Sequence, residues 1–172
     1  MYQIDIANRQ ACLQIDEDRL RQVAETVLRE EAVSQAEISI ALVDGPSMRE
    51  LNRVYLEHDF DTDVLSFDLS DAVSADAPQA GSLPLERAIE GEIVISGDMA
   101  VQVAAGFDWS PQDEVILYLV HGLLHLLGYD DATVEHMALM RARERELLKG
   151  WNLSPRYSDP QPAAGEEAGG HT

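Results

Sequence analysis

Cysteine is almost absent from this chain, basic residues are scarce, and no long apolar run interrupts it. The single cysteine, Cys12, excludes an intrachain disulfide and a zinc–thiolate cluster, and suits a reducing cytoplasm. Lysine and arginine number 12 against 32 aspartates and glutamates, a formal net charge of −20. Such a surface repels phosphate backbones and anionic membranes, so any binding of nucleic acid must be local, weak or assisted by a basic partner. The same acidity serves solubility. No apolar stretch approaches the roughly 20 residues that span a bilayer, and the start Met1-Tyr-Gln-Ile-Asp-Ile6 has neither the basic residues nor the apolar core of a secretory leader. At 172 residues and 45% hydrophobic content, one domain with a substantial core is expected. Residues 1–153 are expected to form it, and 154–172, rich in Pro, Ala, Gly and Glu, to be a disordered tail.

Periodicity gives an element order. Alternation predicts strands at Tyr2–Ile6 and Glu37–Val43, with two more at Val64–Phe67 and Glu92–Ile95. Asp16–Glu31 reads as an amphipathic helix with Leu20, Val23, Ala24, Val27 and Leu28 inward. Asp44-Gly45-Pro46-Ser47 is turn chemistry, and Ser47 is expected to cap a helix through Tyr55. Asp68–Glu90 reads as a loop and Gly97–Ala105 as a helix. Ser110-Pro111 opens a helix to Leu127 that is apolar on nearly all sides and therefore belongs in the interior. Thr133–Lys149 is the last helix, with Val134, Met137, Met140, Leu147 and Leu148 expected inward and His136 on the surface. Strands and helices mix without a strict βαβ rhythm, which predicts an α+β domain: a small mixed four-stranded sheet packed with about five helices.

The interior helix carries the most specific signal, His121-Gly-Leu-Leu-His125-Leu-Leu-Gly128-Tyr-Asp130-Asp131. Four residues apart, His121 and His125 project from one helix face about 6 Å apart along the axis, close enough to share one metal ion. Gly128 permits a left-handed helix end, so the chain can double back and bring Asp130 or Asp131 in as an oxygen ligand. Zinc proteases use the same His spacing with a Glu general base after the first His. Here that position is Gly122, which disfavours peptide hydrolysis.

Two blocks resemble the YbeY family of metal-dependent endoribonucleases. One is Leu51-Asn52-Arg53-x-Tyr55 leading through Asp59 to Thr62-Asp63-Val64-Leu65-Ser66-Phe67; the other is His121-Gly122-x-Leu124-His125-Leu126-x-Gly128-Tyr129-Asp130. The strand Gly91-Glu-Ile-Val-Ile95 is similar to a family strand, and order and spacing agree over roughly residues 35–150. The resemblance implies an α+β domain with one metal, held by three ligands in a cleft beside the sheet. It also implies a role in ribosomal RNA maturation and ribosome quality control in a bacterial cytoplasm, with ribosomal RNA and ribosomal proteins or assembly factors as partners. Carried over, the ligands fall on His121, His125 and Asp131, the last replacing the histidine that normally follows the family's GYD. Two imidazoles and a carboxylate still suit zinc, the expected ion, and make manganese or iron less implausible than three imidazoles do. Asp130 competes for the third place.

A second departure is Leu56, where the family usually has an arginine placed to engage a phosphate. Arg53, one turn earlier, is the available substitute, or else makes only surface ion pairs. Asp63 reads as a turn or cap residue and Ser66 as a strand hydroxyl. The expected chemistry is hydrolysis of RNA phosphodiester bonds by water activated at the ion. The competing expectation is a metal-stabilised ribosome-assembly factor with little or no nuclease activity, consistent with Leu56 and the acidic surface.

Overall fold

Ala36, Ile38, Ile40 and Leu42 are buried while Gln35, Glu37 and Ser39 between them are exposed, so the period of two puts one apolar row against helices. This row is the centre of the strand Gln35–Val43 (β2) in a computed structural model of the protein. The structure describes residues 1–56, 62–70, 87–107 and 109–155.

Tyr2–Asn8 (β1) pairs parallel with β2, and β2 pairs parallel with Ala88–Ser96 (β4). Val64–Asp68 (β3) closes the mixed sheet antiparallel to β4, giving the order β1-β2-β4-β3. Five α-helices accompany it: Glu17–Glu30 (α1), Gly45–Leu56 (α2), Gly97–Ala105 (α3), Pro111–Leu126 (α4) and Val134–Leu148 (α5). The α+β architecture expected from the element order is the one observed. The last strand begins four residues before Glu92, because Ala88, Ile89 and Glu90 find ladder partners in Gln35, Ala36 and Glu37. Of the expected loop, 71–86 lies outside the described residues, as does nearly all of the expected tail (156–172).

The helix starts follow local chemistry. Asp16 accepts from the Arg19 amide (3.1 Å), Ser96 from Met99 (3.0 Å), Ser110 from Asp113 (3.1 Å) and Thr133 from His136 (3.0 Å). The start of α2 differs from expectation. Asp44, not Ser47, is the cap: its Oδ1 accepts from the Ser47 amide at 2.8 Å, and the helix begins at Gly45. That bonding holds the Asp44 carboxyl below the usual range.

Helix α4 is the central element. It packs on β3, β4, α1, α3 and α5, and Val115, Ile116, Leu119, Val120, Leu123 and Leu124 are essentially sealed from solvent. A smaller apolar cluster, with Val43, Met48, Leu65 and Val94, lies between α2 and the sheet. In α5, Met140, Leu147 and Leu148 are buried as expected and Met137 is half-buried, but Val134 is 82% exposed. Six positions at about 100° each leave Val134 about 120° off the face that Met140 defines. The buried stripe of α5 instead includes a charge, Glu144, 1% exposed. No helix among the described residues is long and apolar enough to cross a membrane.

Candidate metal centre

The last two turns of α4 carry His121 and His125 on one face, with their Nε2 atoms 3.0 Å apart and ring planes at 85°. The helix then ends as its glycine dictates. Gly128 takes φ +106°, its amide bonds to the His125 carbonyl (3.1 Å), and the Tyr129 amide bonds to the Leu124 carbonyl (3.0 Å). That is a Schellman ending, and it turns the chain back over the histidines. Asp131 returns with Oδ2 3.9 Å from His121 Nε2 and 3.8 Å from His125 Nε2. One donor atom from each of the three residues lies within 4.8 Å of the others.

Asp130, the competing candidate, is engaged elsewhere: its Oδ1 accepts from His136 Nδ1 (2.8 Å) and from the Ala132 amide (3.1 Å). His136 is an exposed histidine, as expected, and its role is to brace this turn. Tyr129 is tied down as well. Its hydroxyl donates to Glu31 at the end of α1, and Arg143 of α5 bonds the same carboxylate at 2.5 Å.

The donor set fits a divalent cation. His125 Nδ1 meets the Tyr129 carbonyl oxygen at 3.2 Å; a carbonyl only accepts, so Nδ1 carries the hydrogen and Nε2 is an acceptor aimed at His121. An acceptor in that position needs a proton or a metal ion facing it. Two ligand nitrogens on a tetrahedral zinc stand about 3.3 Å apart, given bonds of about 2.0–2.1 Å, close to the separation found here. His121, His125 and Asp131 can therefore hold a metal ion, with all three side chains partly open to solvent.

Charge around the histidines is strongly asymmetric. The Glu144 side chain reaches His121 from α5, with Oε2 2.5 Å from Nδ1. Burial by itself lowers His121, but the Glu144 carboxylate, assisted by Asp63 and Asp131, overrides it and raises the ring's pKa. His125 is lowered by burial and by the neighbouring His121. A cavity of about 260 Å³ opens beside His121 and Asp131, with Asp63, Glu114, Tyr118 and Glu144 among its lining. Burial raises the carboxyl pKa of Asp63, against the pull of His121, and that of Glu114, against an indole N–H bond from Trp109 (2.7 Å).

Asp63 is expected as a turn or cap residue; instead its carbonyl accepts from the Ser96 amide (2.9 Å), one step beyond the β3–β4 ladder, and the residue lines the cavity. Ser66 is structural, as expected: its hydroxyl donates to the Gly122 carbonyl at 3.1 Å. A Cβ at Gly122 would stand 2.9 Å from Ile93 Cγ2 and 3.1 Å from Ser66 Oγ. The position that carries a general base in zinc proteases here points into the sheet, which removes the peptidase reading on geometry as well as on chemistry. The sequence signal for Glu144 is a carboxylate on the Met140, Leu147, Leu148 stripe. Arg53 pairs with Glu50 through two bonds (2.6 and 3.2 Å) and does not line the histidine cavity; Leu56 is 44% exposed. Asp59, part of the first motif block, lies outside the described residues.

The two motif blocks are thus one physical unit, joined at Ser66–Gly122 and along the cavity wall from Asp63 to His121. A profile of the family described as Endoribonuclease YbeY matches residues 5–152. The chain belongs to the YbeY endoribonuclease family. The Salinibacter ruber endoribonuclease YbeY is 41% identical over 135 residues, covering 78% of this chain and 83% of that protein. The Syntrophotalea carbinolica endoribonuclease YbeY is 36% identical over 151 residues, covering 86% of this chain and 95% of that protein. The solution structure of TM1509 from Thermotoga maritima has the same fold, at a TM-score of 0.54 and 21% identity over 94% of this chain and 99% of that one. Membership in the YbeY family accounts for the α+β scaffold.

Proposed function

We propose that this protein is a metal-dependent endoribonuclease that cuts single-stranded RNA during ribosomal RNA maturation and ribosome quality control in the cytoplasm. The observation that carries the reading is the convergence of His121 Nε2, His125 Nε2 and Asp131 Oδ2 at the end of α4 in a YbeY family member. The three residues would hold the ion, zinc by their donor chemistry. When bound, a divalent cation there supplies Lewis acidity towards a phosphodiester oxygen and acidifies water.

The chain's own contribution is placement. The Schellman turn sets the Asp131 carboxylate over the histidine pair, and the Tyr129 carbonyl fixes the His125 ring. The cavity beside His121 gives the substrate a wall on one side of the ion, where the half-buried Asp63 carboxyl retains its proton to higher pH than an exposed one. Because the surface is strongly acidic, long RNA is engaged weakly unless ribosomal proteins or assembly factors present it.

Purified protein loaded with zinc or manganese should cut single-stranded RNA, lose activity to a chelator and regain it on metal addition. His121→Ala should abolish the cutting; undiminished cleavage by that variant would place the activity elsewhere. Arg53's engagement with Glu50 favours a second reading, a metal-stabilised assembly factor. It would be supported if His121→Ala still associates with ribosomal particles while neither form cleaves RNA.

A further inference from the structure

We infer that Glu144 is a positioning residue for the metal centre: it holds the His121 ring in the Nδ1–H form, so that Nε2 is the nitrogen offered to the cation. The inference rests on the metal-centre reading above but concerns a residue outside the ligand set.

Glu144 sits on α5, the helix after the histidine motif, and its Oε2 lies 2.5 Å from His121 Nδ1. The residue is 1% exposed, on a stripe otherwise made of Met140, Leu147 and Leu148. A carboxylate so deeply buried is retained only where strong hydrogen bonds compensate for lost hydration. The bond to His121 is also directional. An ionised carboxylate only accepts, so the hydrogen between the two groups belongs to Nδ1, and Nε2 then points a lone pair at the place where His125 Nε2 and Asp131 Oδ2 converge. The two histidines are thereby oriented by the same device from different sources: the Tyr129 carbonyl acts on His125 and the Glu144 carboxylate on His121. Partners that orient a ligating imidazole typically change metal affinity by about 10- to 100-fold when removed. A carboxylate in that position also adds negative charge behind the ligand, which strengthens its donation to a cation.

The test compares wild type, Glu144→Gln and Glu144→Leu. Zinc affinity is measured by chelator competition, thermal stability is measured on the metal-free proteins, and the His121 tautomer is read by 15N NMR of the metal-free ring at alkaline pH, where it is neutral. Glu144→Leu should bind zinc about 10- to 100-fold more weakly, without a matching loss of metal-free stability, and should lose the Nδ1–H signature. Glu144→Gln, whose amide oxygen can still accept, should recover most of the affinity. Equal zinc affinity in Glu144→Leu and wild type, or a wild-type His121 found in the Nε2–H form, would overturn the assignment. A wild-type protein with the Nδ1–H tautomer but no zinc binding would instead defeat the metal-centre reading.

Discussion

Asp131 brings a hard, anionic oxygen to a site whose other two donors are imidazole nitrogens, with Oδ2 within 3.9 Å of both Nε2 atoms. Its neighbour Asp130 has the same chemistry and is one residue away, yet serves His136 and the Ala132 amide. The difference is one of backbone direction after Gly128, so substitution should separate the two sharply. Asp131→Ala should weaken zinc binding by at least about 10-fold, since even partners outside the ligand set contribute that much. Asp130→Ala should change it by less than about fivefold, the scale of an exposed ion pair. Chelator competition decides the matter, and the reverse ranking would make Asp130 the ligand. The histidines and the acidic pair were legible in the sequence because their geometry is local, set by one helix turn and one glycine. Which aspartate turns inward was not, since it depends on His136 arriving from the next helix. Glu144 and Asp63 were harder still: each reaches His121 from another element, Glu144 from α5 and Asp63 from the start of β3.

The contact between α4 and the sheet is set at the scale of an element by the absence of a side chain at Gly122. Ile93 Cγ2, Ser66 Oγ and Val64 Cγ2 would stand 2.9, 3.1 and 3.3 Å from a Cβ there. Both Ile93 and Val64 are β-branched and stiff at χ1, so they give way poorly. Gly122→Ala therefore sets a helix-propensity gain of about 1 kcal/mol against overpacking of about 1–3 kcal/mol. Overpacking should win, lowering the melting temperature by a few degrees and loosening the Ser66–Gly122 bond that joins the two motif blocks. A melting temperature that stays level or rises would show that the sheet yields freely. Element identities were readable from period and caps, because Ser110-Pro111 and Asp16 act on their own neighbours. Where α2 and β4 begin was not fully readable: Asp44 caps α2 by accepting from Ser47's own amide, which places Ser47 inside the helix, and the start of β4 is fixed by β2 across the sheet. The strand order β1-β2-β4-β3 likewise depends on pairings between distant segments.

Taken as a whole, the molecule concentrates titratable groups around one cavity while carrying a net charge of −20, and the two features act on stability in the same direction. Burial raises Asp63 and Glu114, and the Glu144 carboxylate raises His121 despite burial. For each of these groups the folded state binds its proton more tightly than the unfolded chain does. The stability they contribute is complete below their unfolded pKa values and is lost as pH rises through the folded ones. His125 is shifted the other way, so its contribution is present above its unfolded pKa and lost on acidification. Three raised groups against one lowered group, together with growing self-repulsion among the carboxylates, predict that the metal-free protein becomes less stable from about pH 5 to about pH 8. A divalent cation should reverse the trend: it binds more tightly as the imidazoles lose their protons, and it neutralises charge where the carboxylates crowd. Thermal unfolding across that range, with chelator and with zinc, should give diverging curves, metal-free falling and zinc-bound level or rising. Parallel curves would mean that the cation does not meet His121 and its acidic neighbours.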